Sequence, residues 1–225
     1  MTKPDELRIG LIGGTGDEGR GLALRWAMAG AHVMIGSRSV ERAKSAADGL
    51  NLLLGDERIE FGDNETAVTA SDLVLLTVPF DHAASTLESH RGDFREGAIL
   101  IDITVPVSFD KGRARYVEPP EGSASEHLRA RLPESVPLVA AFKTEPAHLL
   151  VDPTVSLDCD VFVAGDSKDA KVRVIDAIKL IGGLRPIDAG GLESCRAIER
   201  MTVLLIGINR RYKVKTGRFR VVGLE

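Results

Sequence analysis

Short runs of apolar residues alternate along the chain with segments in which apolar residues recur at helical spacing. Strands are predicted at 7–13, 31–37, 58–61, 72–78, 98–104 and 136–142, and helices at 17–30, 40–53, 81–89 and 123–131. Continuous apolar runs are typical of strands buried on both faces, and their alternation with helices is typical of a parallel sheet. Residues 105–122 contain Pro106, Pro119 and Pro120 and are predicted to be mostly loop.

The pattern changes after about residue 150. A short strand at 160–164, a helix at 167–181, an extended piece at 184–188 and a long helix at 192–212 are predicted there. We interpret the chain as an α/β protein with a Rossmann-type doubly wound, mostly parallel sheet and a small α+β C-terminal domain. The proposed division is 1–150 and 151–225. No low-complexity linker separates the two parts, so the last third is expected to pack onto the rest.

A glycine-rich turn joins the first predicted strand to the first predicted helix. It runs from Gly14 through Gly16 to Gly19 with the spacing G-x-G-x-x-G. The first glycine is expected to allow the tight turn, the second to let backbone N–H groups approach a pyrophosphate, and the third to let helix and strand pack closely. Unpaired N–H groups at the helix N-terminus favour an anion there. The turn therefore predicts a dinucleotide site, although a purely structural turn is the alternative.

The end of the second strand predicts which dinucleotide is bound. An NAD site usually has a carboxylate at this point to accept from the ribose hydroxyls. This chain instead has Ser37 and Arg38, with Arg42 one helical turn later. Guanidinium groups bind phosphate through paired N–H donors, so the arrangement favours the 2′-phosphate of NADP. A solvated helix start is the alternative.

Three later strand ends are expected to converge on the nicotinamide, because ligands of parallel sheets lie at the carboxyl ends of the strands. They are Thr77-Val78-Pro79-Phe80, Thr104-Val105-Pro106 and Lys143-Thr144-Glu145-Pro146-Ala147. Prolines directly after strands can equally be strand terminators. The sequence shows no catalytic nucleophile with a base and no metal-ligand spacing. This pattern fits direct hydride transfer, in which the cofactor carries the chemistry.

These motifs together resemble a known family, the NADPH-dependent F420 reductases, also called F420:NADP oxidoreductases. The resemblance rests on Gly13-Gly14-Thr15-Gly16 with Gly19, Gly36-Ser37-Arg38, Thr77-Val78-Pro79, residues 121–126 (EGSASE), Asp188-Ala189-Gly190 and residues 208–213 (INRRYK). It implies a homodimer with reversible hydride transfer between NADP(H) and the 5-deazaflavin coenzyme F420, and a C-terminal domain that closes the acceptor site. It also implies NADP contacts from the backbone of Thr15, Gly16, Asp17 and Glu18, from Ser37, Arg38 and Arg42, and from Val78, Pro79 and Ala147.

Two opposite charges lie where the acceptor ring is expected. Lys143 and Glu145 either pair with each other or point to solvent, or Lys143 stabilises negative charge on the reduced acceptor. As a proton donor, Lys143 would instead suit another acceptor, namely a flavin, a pterin or a small C=O or C=N substrate. Lys143 is thus the candidate catalytic residue. Val105, Pro106 and Glu145 are candidate acceptor contacts.

The C-terminal segment is basic. Arg210 and Arg211 begin it, and no acidic residue interrupts it as far as Arg220. Such a patch suits the anionic tail of a deazaflavin coenzyme. A solvated helix end, favoured by the helix dipole, is the alternative.

Composition narrows the classes of function further. The formal net charge is -4 and aromatic residues make up 4%, which speaks against a nucleic-acid partner. The longest apolar runs are too short to span a bilayer. Two cysteines do not make a disulfide framework, so a cytoplasmic location is expected. A non-enzymatic NADP sensor is the further alternative, because fold alone does not give function.

Overall fold

In the computed structural model, residues 3–224 are described, and they form ten strands and eight α-helices. The strands are β1 (Arg8–Ile12), β2 (His32–Gly36), β3 (Ile59–Gly62), β4 (Leu73–Leu76), β5 (Ile99–Asp102), β6 (Val107–Asp110), β7 (Arg113–Tyr116), β8 (Leu138–Ala140), β9 (Cys159–Ala164) and β10 (Leu184–Gly190). The helices are α1 (Asp17–Met28), α2 (Val40–Leu54), α3 (Asn64–Thr69), α4 (Phe80–Ser89), α5 (Ala124–Arg129), α6 (Ala147–Leu150), α7 (Lys168–Lys179) and α8 (Cys195–Tyr212).

Eight strands form one sheet in the order β3-β2-β1-β4-β5-β8-β9-β10. The strands from β3 to β8 in this order are all parallel. After β3 the chain crosses back over the sheet to β4, so the strand order reverses between β1 and β4. The pair β9-β10 is itself parallel but joins β8 in the antiparallel sense. The prediction of a Rossmann-type, mostly parallel sheet is confirmed. The last third packs onto the rest by extending the same sheet.

Helices cover both faces of the sheet, which makes it doubly wound. One apolar cluster joins the sheet to α1, α2 and α7, and the other joins it to α3, α4, α5 and α8. Trp26 of α1 is fully buried and meets the ring of Phe142 edge-on, with ring centroids 5.4 Å apart. The Trp26 indole also donates to the carbonyl of Ala177 in α7 at 2.8 Å. These contacts connect the first helix with the last third of the chain.

The hairpin β6-β7 and the helix α3 are among the elements that differ from the sequence-based expectation. Residues 105–122 were expected to be mostly loop, but they contain the antiparallel hairpin β6-β7. Its strands are four residues long and largely exposed, so they lack a buried apolar run that would reveal them. Helix α3 was not expected either, because its six residues are too few to show a helical period.

The predicted start of α5 is confirmed, with Ser123 as its N-cap. The Ser123 hydroxyl accepts from the backbone N–H of Glu126 at 3.2 Å and donates to the Glu126 carboxylate at 2.8 Å. Among residues 3–224, no helix combines the length and the apolar character needed to cross a membrane.

Candidate active site

A cleft of about 770 Å³ opens at the carboxyl ends of the parallel strands, across the point between β1 and β4 where the strand order reverses. Parallel α/β sheets bind their ligands at such a point. The lining residues come from the ends of β1, β2, β4, β5 and β8, from the first part of α1, α2, α3 and α4, and from α8. They include Thr15, Gly16, Glu18, Ser37, Arg38, Arg42, Asn64, Val78, Pro79, His82, Thr104, Val105, Lys143, Glu145 and Thr202.

The glycine turn differs by one residue from the sequence-based assignment. The glycine with left-handed backbone is Gly13, at φ +75°, and not Gly14. A Cβ on Gly13 would lie 2.4 Å from a methyl of Val78, so the end of β4 also excludes a side chain there. Gly19 approaches Gly14 as expected, because a Cβ on Gly19 would lie 2.8 Å from the Gly14 Cα. Gly16 faces open space, which leaves its backbone accessible to a ligand.

Ser37, Arg38 and Arg42 come together at the end of β2, and all three line the cleft. Ser39 begins α2 by accepting from the Arg42 backbone N–H at 3.3 Å, which fixes the helical turn that separates the two arginines. Arg38 and Arg42 are exposed, and neither makes an ion pair within the described part of the chain. Their positive charge is therefore available to a bound anion.

The lining also contains Asn64, which sequence reasoning missed, and Thr77, which begins one of the three expected strand ends. Asn64, at the start of α3, accepts from the Gly13 backbone N–H at 3.2 Å and so supports the glycine turn from the side. Thr77 donates its hydroxyl to the Ile12 carbonyl at 2.8 Å and ties the end of β4 to β1. The Asp63 carboxylate caps α3 through the Thr66 N–H, and this Asp63–Thr66 pair is the local signal that marks Asn64 as the start of a helix.

The remaining predicted contacts are divided between the cleft and its surroundings. Val78 and Val105 line the cleft, as does Pro79, which is the residue before the first turn of α4. Pro106 is buried and accepts from the Val117 N–H at 2.9 Å, at the base of the hairpin. Gly14, Asp17 and Ala147 adjoin the lining without belonging to it.

Lys143 lies at the wall of the cleft with its side chain fully buried. Its ammonium donates to the Asp102 carboxylate at 2.8 Å, lies 3.2 Å from the Glu199 carboxylate, and also donates to the Thr104 carbonyl. Burial opposes the charged form, but the Asp102 and Glu199 carboxylates outweigh it and raise the pKa of Lys143 above its usual value. Two of the three N–H groups of the ammonium thus donate hydrogen bonds, and the Glu199 carboxylate adds an ion pair.

The two carboxyl groups of this cluster are bound by further donors. Glu199 accepts from the Tyr116 hydroxyl at 2.8 Å and from the Ala124 backbone N–H at 2.9 Å. Asp102 accepts from the Ser125 hydroxyl at 2.6 Å. The cluster thus joins the ends of β5 and β8 to α5, α8 and the hairpin.

This geometry corrects the expectations for Lys143. The amine does not pair with Glu145 and does not point to solvent, because it is buried against Asp102, Glu199 and the Thr104 carbonyl. Because its pKa is raised, it also holds its proton. Asp102 and Glu199 lie far from Lys143 in sequence, and no local pattern indicates the contact.

The turn after β8 places Lys143 by an unusual backbone conformation. Phe142 has φ +54°, in the left-handed region that bulky residues rarely adopt. Its ring is fully buried against Trp26, which holds the residue in this conformation. The Thr202 hydroxyl then donates to the Lys143 carbonyl at 2.6 Å, from α8. Local strain of this kind is characteristic of functional sites.

Glu145 and Glu18 bring two carboxyl groups to the same part of the cleft. Burial raises the pKa of Glu145 to about 7, against the effect of the hydrogen bonds from the Thr144 N–H and hydroxyl. Burial, followed by the nearby Glu145 charge, raises the pKa of Glu18 well above its usual range. A charge on Glu145 therefore disfavours ionisation of Glu18.

The basic C-terminal segment lies outside the cleft. Arg210 donates to the Gly112 carbonyl in the hairpin turn, and neither Arg210 nor Arg211 lines the cleft. Arg220, at the far end of the segment, pairs with Asp158. The structure of the single chain therefore does not bring these arginines to the other candidate acceptor contacts.

Comparisons with known proteins give relatives that match nearly the whole chain. A family model described as NADP oxidoreductase, coenzyme F420-dependent, matches residues 8–106. The chain is 40% identical to the F420-dependent NADP reductase of Methanothermobacter thermautotrophicus, over 100% of this chain and 98% of that protein. It is 38% identical to the F420-dependent NADP reductase of Methanocaldococcus jannaschii, over 97% of this chain and 100% of that protein.

The fold itself matches a solved structure. A protein of Arthrobacter sp. FB24 assigned to the F420-dependent NADP reductases superposes with a TM-score of 0.78. The match covers 96% of this chain and 98% of that chain at 22% identity, a level that shows the likeness of the folds alone.

We expect Lys143→Met to lower the free energy of unfolding by about 3–5 kcal/mol, because it leaves two buried carboxyl groups without a counter-charge. Urea unfolding measures this change. Combining the substitution with Asp102→Asn and Glu199→Gln removes the uncompensated charges and should recover part of the loss. A Lys143→Met protein that unfolds at the wild-type urea concentration would contradict the stabilising role.

Glu145 gives the stability of the protein a pH dependence. Between its ordinary pKa of 4.5 and its folded pKa of about 7, the folded state keeps a proton that the unfolded chain has lost. Stability therefore falls as pH rises through this window, by up to roughly 3 kcal/mol. Urea midpoints at pH 5 and pH 8 should differ less for Glu145→Gln than for the wild type. The exposed Glu57→Gln is the control, and parallel profiles for Glu145→Gln and Glu57→Gln would refute the prediction.

Proposed function

The chain belongs to the F420-dependent NADP reductase family, and from this we propose that its cleft transfers a hydride reversibly between NADP(H) and coenzyme F420. The observation that carries the proposal is the continuity of the cleft. It runs from the unpaired arginines Arg38 and Arg42, past the glycine turn, to Val105 and Glu145 at the ends of β5 and β8. One end therefore suits an anionic dinucleotide, and the other has room for a second reactant.

At the first end, NADP would bind through complementary charge. We place the 2′-phosphate on Ser37, Arg38 and Arg42, and the pyrophosphate on the backbone from Thr15 to Glu18 at the start of α1. Gly14 lets this backbone pack closely on β1. No carboxylate stands at the end of β2 to accept from an unphosphorylated ribose, which favours NADP over NAD.

At the second end, the nicotinamide would lie against Val78 and Pro79 and the deazaflavin against Val105, Glu145 and Thr202. The hydride carries two electrons from C4 of the nicotinamide to C5 of the deazaflavin, and a proton from water completes the reduction. The reverse reaction returns the hydride to NADP⁺ and the proton to water. Holding the two carbon atoms in contact is what the protein contributes, since the transfer itself needs no protein nucleophile.

Lys143 then serves as a positioning residue. Its ammonium holds Asp102 and Glu199, and through them it fixes the strand ends and α8 that form the acceptor wall. The alternative acceptors, a flavin, a pterin or a C=O or C=N substrate, drew support from Lys143 as an acid. That support is removed by the three acceptors that already surround the amine.

Purified protein mixed with NADPH and oxidised F420 should bleach the deazaflavin absorbance, and NADH should be a much poorer donor. Arg38→Met should raise the KM for NADPH roughly tenfold to a hundredfold, because a charged hydrogen bond to phosphate is lost. The KM for NADH should stay unchanged. Equal bleaching rates with NADH and NADPH would contradict the NADP assignment, and the absence of bleaching with either would contradict F420.

Residues 151–225 are proposed to close the acceptor site and to mediate a homodimer. Leu204, Ile208 and Tyr212 lie at successive turns on one side of α8, and each is exposed. Exposed apolar stripes of this kind mark interaction surfaces. A second copy of the chain would bury the stripe, and Arg210 and Arg211 lie beside it.

The two cysteines bear on the cellular location, which we propose to be the cytoplasm. Cys159 and Cys195 are free and buried, and burial raises the pKa of each thiol to about 12, so both are unreactive. Free thiols of this kind fit the cytoplasm.

The dimer can be tested by light scattering after size-exclusion chromatography. The wild type should have twice the mass of the chain, and Leu204→Asp together with Ile208→Asp should yield monomers. Leu52→Asp, at an exposed apolar position on α2, should stay dimeric as the control. A monomeric wild type, or a dimer that survives the double substitution, would contradict this interface.

A further inference from the structure

A second cavity of about 380 Å³ lies between α1 and α2, on the outer side of the glycine turn. It is lined by Thr15, Arg20, Arg42, Ser45 and Ala46. Thr15 and Arg42 also line the main cleft, so the two spaces share a wall. Arg20 belongs to the second cavity alone, and neither the sequence motifs nor the family resemblance includes it.

The Arg20 guanidinium is not held by the protein. Its Nε is buried and has no hydrogen-bond partner among residues 3–224, and it is the sole buried side-chain nitrogen or oxygen in that part of the chain without one. Arg25, on the same helix, makes the hydrogen bonds that a buried guanidinium ordinarily makes. It donates to the carbonyls of Leu149, Leu150 and Val155, each at 3.0 Å. Because no such bond restrains Arg20, its side chain can turn toward a ligand without breaking one.

The charges around the cavity favour an anion. Arg20 and Arg42 line it, and Arg38 lies next to it at the end of β2. Two carboxyl groups of α2 lie near these residues in the sequence and have other partners: Glu41 accepts from the Ser39 hydroxyl at 2.9 Å, and Asp48 pairs with Lys44 at 2.6 Å. Leaving a buried guanidinium N–H unpaired is costly, so a ligand oxygen that accepts from it would be favoured.

The position of the cavity identifies the anion. The other wall, Ser45 and Ala46, belongs to α2, which follows the strand that ends at Ser37 and Arg38. This is the adenosine-ribose side of the proposed cofactor site, away from the strand ends β4, β5 and β8. The pyrophosphate, by contrast, is assigned to the first turn of α1.

We propose that Arg20 is a specificity-determining residue that binds the 2′-phosphate of NADP, from the side opposite Arg38 and with Arg42 between them. This inference rests on the proposed function, since it assumes that the cleft binds NADP in the stated orientation. On ligand binding the Arg20 guanidinium turns from its unpaired position and donates to the phosphate. Three guanidinium groups then surround one dianion.

Dissociation constants for NADP⁺, NAD⁺ and 2′-AMP, measured by calorimetry, test the proposal. Arg20→Met should weaken NADP⁺ and 2′-AMP roughly tenfold to a hundredfold, the effect of losing a charged hydrogen bond. It should leave NAD⁺ unchanged, because NAD⁺ carries the pyrophosphate but not the 2′-phosphate. Arg20→Lys, which keeps the charge, should recover part of the affinity for both phosphorylated ligands.

The control is Arg91→Met, which makes the same change of charge at an exposed site after α4, a helix on the other face of the sheet from α1 and α2. A fall of at least about fivefold in the preference for NADP⁺ over NAD⁺, in Arg20→Met but not in Arg91→Met, supports the proposal. A smaller fall, or equal weakening of NADP⁺ and NAD⁺, overturns it. If the wild type itself shows no preference for NADP⁺, the proposed cofactor assignment fails instead, so the two failures are distinguishable.

Should Arg20→Met fail to fold, Arg20→Gln gives the same comparison with a polar side chain of intermediate length. Unchanged selectivity in Arg20→Gln then overturns the proposal, and a fivefold loss supports it.

Discussion

A single buried ammonium group, that of Lys143, holds together one wall of the cleft. Its two carboxyl partners come from the end of β5 and from α8, which are far apart in the chain. Each carboxyl is bound in turn by donors from α5 or the hairpin. Removing one charge from such a cluster leaves the others uncompensated, so the strand ends, α5 and α8 depend on one another.

The opposite wall is built by close packing instead of charge. The glycine turn fits because the end of β4 presses against Gly13 and because Gly19 approaches Gly14. This wall leaves backbone N–H groups and arginines unpaired, whereas the Lys143 wall has its polar groups satisfied internally. The contrast explains why one end of the cleft suits an anionic cofactor. At the other end, the protein contributes position more than acid–base chemistry.

The sequence predicts the parallel sheet well. Continuous apolar runs such as Leu73–Leu76, when they alternate with helices, are typical of strands buried on both faces of such a sheet. The sequence also indicates the candidate phosphate-binding elements, because the residues of the glycine turn are neighbours in the sequence and so are Ser37 and Arg38. Prediction from the sequence fails where a contact joins residues that are far apart in the chain. The partners of Lys143 and the unpaired state of Arg20 depend on packing between elements far apart in the chain. The hairpin was missed because its short strands are exposed and flanked by prolines.

The central claim is that one cleft holds NADP(H) and F420 in contact, so that the hydride passes directly between them. The most direct test uses NADPH labelled with deuterium at either position of the nicotinamide C4, in single turnovers with oxidised F420. The account predicts that one of the two labelled forms delivers its deuterium to C5 of the reduced F420 and reacts more slowly than unlabelled NADPH. Reduced F420 without deuterium from both forms would show that the hydrogen comes from elsewhere and would contradict the claim.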